Sequence, residues 1–75
     1  MSVNDNVKRI REAKGVTKTF LAKKLGMSLQ GYRYLENGDV RMDVERMQEI
    51  ANALGIKSAV LLDDKVTDSV IKRLG

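Results

Sequence analysis

Glycine sets the frame of this chain. Gly15, Gly26, Gly38 and Gly55 each follow directly on a segment whose apolar residues recur at helical spacing. The position just past a helix end often takes a left-handed backbone, which glycine adopts at little steric cost. Four such stops in 75 residues leave room only for short helices joined by tight turns. Proline is absent and aromatic residues make up 4%, while Ala, Leu, Lys, Arg, Glu and Met are plentiful, a balance that favours helix over strand. The expected fold is a single all-α domain spanning residues 1–75.

So small a chain buries only about 60% of its unfolded surface, so close helix packing must supply its stability. There is no cysteine for a disulfide or a thiolate metal site, and no histidine, the commonest metal ligand and general base. Nor is there a glycine-rich phosphate loop or a paired carboxylate site, so neither an enzyme, a cofactor nor a metal is expected. No apolar run approaches the length of a membrane span, and the opening MSVNDNVKRI lacks the apolar middle of a signal peptide, so no membrane partner is expected and the cytoplasm is the expected location. Charge is uneven. Residues 1–41 hold nine Lys/Arg against four acids, a net +5, whereas residues 42–75 hold five against six. The first half is therefore suited to an anionic partner, although an unevenly charged solvated surface would look the same.

The spacing predicts a first helix over Asp5–Lys14, with Val7 and Ile10 inward. A second covers Lys18–Leu25, capped by Thr17, with Leu21, Ala22 and Leu25 inward. A third covers Leu29–Asn37, capped by Ser28, with Tyr32 and Leu35 inward. A fourth covers Val44–Leu54, capped by Asp43, with Val44, Met47, Ile50, Ala51 and Leu54 inward. A short fifth covers Ser58–Leu62. The tail DDKVTDSVIKRLG predicts a short sixth helix with Val66, Val70, Ile71 and Leu74 on one stripe.

Residues 17–36 carry the functional signal: a helix of about two turns, a turn containing Gly26, and a second helix. That is the layout of a helix-turn-helix, whose second helix enters the major groove of DNA. The chain also resembles the lambda-type repressor and Cro family of helix-turn-helix regulators, the XRE family. The likeness rests on REAKGVT, LAKKLGMS, YLENG and MQEIANALGI, followed by Leu61 and Leu62, and covers residues 7–62. It implies a compact five-helix, lambda repressor-like bundle, here with a C-terminal extension over 63–75. It implies a double-stranded DNA partner, bound as a homodimer on a near-palindromic operator, by a nucleoid-associated protein of prokaryotic or phage origin.

The resemblance also implies roles by position. Leu29, Gln30 and Tyr34 fall where the family reads bases, and Arg33 between them is placed for a base or a phosphate. Thr17, Lys18, Asn37 and Arg41 fall where the family grips the phosphate backbone. Gln30 has the donor and acceptor pair that matches adenine N6 and N7. Leu29 offers apolar contact or partial burial. Tyr34 offers a hydroxyl and a ring. Tyr32 takes an inward position, where its hydroxyl needs solvent or a partner. Arg11 and Glu36 stand where the family bridges its first and third helices by an ion pair.

Four positions depart from the family pattern. Lys18 replaces a usual glutamine. Phe20 replaces a usual polar residue, either packing under the first helix or marking a partner surface. Gly31 sits inside the third helix, and Lys57 stands where a fifth-helix cap is expected, with Ser58 as its substitute. Val60, Leu61, Val66, Val70, Ile71 and Leu74 exceed what the fourth helix can cover. Part of that stripe is expected at the dimer contact, the alternative being a tail folded onto its own core. A transcriptional repressor is the first functional expectation. An antitoxin that binds a toxin and its own operator is the second, with an anti-repressor as another conceivable protein partner. A protein-interaction module without DNA binding is the third.

Overall fold

Short polar side chains mark where the helices begin. The computed structural model describes residues 2–75, which contain α1 (Val3–Ala13), α2 (Lys18–Lys24), α3 (Leu29–Asn37), α4 (Val44–Leu54), α5 (Ser58–Leu61) and α6 (Asp64–Leu74). Thr17, Ser28 and Asp43 accept the backbone N–H groups of Phe20, Gly31 and Arg46 at 3.0, 3.0 and 2.7 Å, satisfying donors that a helix start otherwise leaves free. α1 starts two residues earlier than the periodicity predicts. Ser2 Oγ accepts the Asp5 N–H at 3.2 Å while the Asp5 carboxylate accepts the Ser2 N–H at 3.5 Å, a reciprocal capping box that extends the helix. α2 stops one residue short of the expected end, with Leu25 as its C-cap, and α5 one residue short, with Leu62 as its C-cap. Neither Lys57 nor Ser58 caps α5 through a side chain.

α1 is the hub: it packs on α3, α4, α5 and α6, while α2 packs on α3 and α4. The core is built from Val7, Ile10, Leu21, Ala22, Tyr32, Leu35, Met47, Ile50, Ala51, Leu54 and Leu61. Val44, expected inward, is 65% exposed. It is the first residue of α4 and points outward there, so the buried stripe of that helix begins at Met47. Leu25 is only partly buried.

The tail folds back onto the domain, and its buried residue is Thr67, not the aliphatic stripe. The Thr67 hydroxyl donates to the Val60 carbonyl at 2.6 Å. The buried Asn6 amide donates to the Leu61 carbonyl and to Asp64 Oδ1, each at 3.0 Å, and that bond holds the Asp64 carboxyl below its ordinary range. Arg9 pairs with Asp68 across the same seam. Leu61 is fully buried, so it belongs to the core of the single chain and is not available to a dimer face. Val60 and Ile71 pack partly against that core, whereas Val66 and Leu74 remain 42% and 44% exposed.

One charged pair sits inside. Arg11 Nε and Nη2 donate to Glu36 Oε2 and Oε1 at 2.9 and 3.0 Å, and Nη1 donates to the Val16 carbonyl at 2.9 Å. The two residues are 7% and 4% exposed, so α1, α3 and the α1–α2 turn are clamped at one buried point. The Glu36 hydrogen bonds hold the Arg11 guanidinium above its ordinary value against the opposing effect of burial. Tyr32 lies beside the pair. Contrary to the sequence expectation, its hydroxyl reaches neither solvent nor a well-aligned partner. Burial first, and the adjacent Glu36 carboxylate second, push that hydroxyl well above its ordinary value.

This cluster generates two predictions. Arg11→Ala strands a buried carboxylate and is expected to lower stability by about 3–5 kcal/mol; a melting curve indistinguishable from that of the parent would refute the clamp. Tyr32→Phe removes an unsatisfied hydroxyl and is expected to be neutral or stabilising. Because the folded tyrosine holds its proton more tightly, its contribution is full below the unfolded value of about 10 and declines as pH rises beyond it, by up to about 1.4 kcal/mol per pH unit. Tyr32→Phe should therefore unfold less readily than the parent at alkaline pH, as measured by denaturant titration across that range.

Candidate nucleic-acid interface

The turn between α2 and α3 is closed by the Met27 N–H donating to the Ala22 carbonyl at 2.8 Å, with Gly26 at φ +67° in the left-handed region. That backbone strains any residue with a Cβ, so the glycine permits the short connection. α3 then has two faces. Tyr32, Leu35 and Glu36 are buried. Gln30, Arg33, Tyr34 and Asn37 are exposed and recur at i, i+3, i+4 and i+7, so they form one outward stripe. Leu29 is partly buried at the edge of that stripe, consistent with its first-turn position.

Electrostatics favours an anion on this side. Glu36 is the single acid of α3, and it is turned inward and neutralised by Arg11. The outer face of α3 therefore presents Arg33 with no carboxylate on the same face. Arg41 is exposed in the loop after α3, and Lys18 is partly exposed at the start of α2. Asp39, also exposed, follows α3 at its C-terminal end, away from the first turn. The Thr17 oxygen accepts the Phe20 N–H, which leaves its own O–H available as a donor.

Gly31 gains a local reason that its place in the sequence does not reveal. A Cβ there would stand 3.1 Å from Ser28 Oγ, the atom that caps α3, and 3.6 Å from Met27 Cε. Glycine keeps the cap uncrowded. Phe20 does not pack under α1. It is 45% exposed, with Lys24 Nζ 5.6 Å from its ring centre, and it lies between two shallow grooves. Sequence reasoning missed the Asn4 amide, which donates to the Leu35 carbonyl at 2.7 Å and ties α3 to α1 from behind. Only the position of an asparagine in the first turn of α1 could have hinted at it.

Among the described residues no helix is long and apolar enough to cross a membrane. Residues 7–61 match the family described as helix-turn-helix, a span of more than half the chain that contains α2, α3 and all residues of the outward stripe. The chain matches no curated protein and no solved structure.

The cap is testable. Ser28→Ala removes the acceptor for the Gly31 N–H and should cost about 1 kcal/mol of stability. Chemical denaturation of the two proteins would measure this, and an unchanged midpoint would show that α3 does not depend on its cap.

Proposed function

The chain belongs to the lambda repressor and Cro type of helix-turn-helix family, a DNA-binding family, and on that premise we propose that it is a sequence-specific transcriptional repressor. The observation that carries the reading is the division of α3 into a buried stripe and an exposed polar stripe. A major groove about 12 Å wide admits one helix, and only outward donors and acceptors can meet its base edges. Gln30 and Tyr34 read bases, with Leu29 giving apolar contact, for instance to a thymine methyl. Arg33 lies between them and contacts base or phosphate. Lys18, Arg41, Asn37 and the Thr17 hydroxyl hold the phosphate backbone. Two copies on a near-palindrome would place their α3 helices about 34 Å apart, one turn of the duplex. Occupying a promoter in the cytoplasm then blocks transcription by exclusion.

A second reading is an antitoxin that covers a toxin protein and binds its own operator. Phe20 favours it: a half-exposed aromatic ring with a groove on either side suits a protein partner better than solvent.

Selection of bound fragments from a random duplex library tests the first reading, since enrichment of a shared half-site is expected and an unenriched pool would overturn it. Gln30→Ala should relax preference at one base position, a loss of about 1–3 kcal/mol of discrimination. Lys18→Ala should weaken binding to every duplex alike. The parent's affinity should fall with salt on a log–log slope of about −0.9 per neutralised phosphate, and Lys18→Ala should reduce that slope by about one contact.

A further inference from the structure

Three of the four acids in residues 1–41 are engaged within the protein. The Asp5 carboxylate accepts the Ser2 N–H at 3.5 Å in the α1 cap, Glu12 stands 4.0 Å from Arg11 Nη2, and Glu36 takes the same guanidinium in the core. Asp39 is the exception. It is exposed, and among the described residues no donor or cation meets its carboxylate. Its place is nonetheless fixed. Gly38, at φ +85°, turns the chain at the end of α3. The Gly38 N–H donates to the Leu35 carbonyl at 3.2 Å, and the Asp39 N–H donates back to the Tyr34 carbonyl at 2.9 Å. This pair of bonds, a Schellman motif, pins residue 39 against the last turn of α3, where the outward stripe ends at Tyr34 and Asn37. Asn37 lies just before it in the chain and Arg41 just after. A bare carboxylate thus stands amid the side chains assigned to the phosphate backbone.

We propose that Asp39 is a brake on DNA affinity, a carboxylate held beside the phosphate-gripping residues that acts on the backbone contact and not on the choice of base. The inference rests on the interface proposed above. An ionised carboxylate is an acceptor only, so it has no hydrogen bond to offer a phosphate oxygen. Like charges within about 8 Å, the Debye length at physiological salt, still repel. Contacts to phosphate and sugar position a protein on the duplex and carry no sequence information directly. An acid placed among them subtracts from that common attraction, so the base contacts of Gln30 and Tyr34 supply a larger share of what remains. No structural duty competes with this role, because the side chain caps no helix and the turn around it is built by backbone groups. A cytosine amine also accepts a carboxylate partner. That amine lies on the floor of the groove, whereas Asn37 and Arg41 set residue 39 at its phosphate rim.

The test compares the full chain with Asp39→Asn, a change of charge at nearly constant shape, on a duplex chosen by selection and on an unrelated duplex. Fluorescence anisotropy across a salt series should show the variant binding both duplexes about fivefold more tightly at low salt. That gain matches the effect of about 1 kcal/mol between two unit charges about 4 Å apart in water. It should shrink as salt rises, while the melting temperature stays near that of the parent. Asp39→Glu, which keeps the charge, should bind like the parent. Selection from random duplexes should enrich the same half-site for the parent and for Asp39→Asn. Unchanged or weaker binding by Asp39→Asn, a gain that ignores salt, or a C·G preference that the substitution removes would each overturn the proposal. If no duplex holds either protein, the interface reading fails and takes this inference with it; if the parent binds and the substitution changes nothing, the inference fails alone.

Discussion

The buried bond between Arg11 and Glu36 fixes the angle at which α3 stands on the domain. It is two-pronged, it is almost wholly removed from water, and its third arm reaches the Val16 carbonyl in the turn before α2. α1, the turn that follows it and α3, 25 residues further along the chain at this bond, thus share one point. Burying charge is costly unless the geometry is complete, and here both carboxylate oxygens and three guanidinium nitrogens have partners. The same bond disposes of the one acid on α3, so it shapes the field outside while holding the scaffold inside.

Much of this arrangement is readable in the residues before any coordinates. α3 and α4 have the bounds that their caps and glycines announce, because Ser28, Asp43, Gly38 and Gly55 state start and stop in local chemistry. The outward position of Gln30, Arg33, Tyr34 and Asn37 follows from the same helical period that buries Tyr32 and Leu35. What stayed hidden was long-range. Nothing in DDKVTDSVIKRLG says that Thr67 rather than a valine goes inside, since that depends on where the Val60 carbonyl lies after folding. Leu61 read as part of an outer stripe because its neighbours Val60, Val66 and Ile71 are similar in kind, and only the path of α5 decides that it is covered completely. Tyr32 misled in a milder way. Its ring obeyed the pattern, while its hydroxyl was left beside an ion pair whose partners were already engaged.

The tail shows how a chain this short gains a sixth element without a larger apolar core. α6 is fastened by polar contacts: Asn6 to the Leu61 carbonyl and Asp64, Arg9 to Asp68, Thr67 to the Val60 carbonyl. Such bonds are directional, so they specify where α6 lies more than they add to stability. They also leave Val66 and Leu74 largely outside, where a helix fastened by burial alone would have turned them in.

The separation of the two stripes on α3 has a wider consequence. Gln30, Arg33, Tyr34 and Asn37 are exposed, and Tyr32, Leu35 and Glu36 are buried. If these four are the letters of an address, as proposed, they can be exchanged while the frame that carries them stays whole. A lineage built on this helix could acquire new targets one side chain at a time, without passing through an unfolded intermediate form.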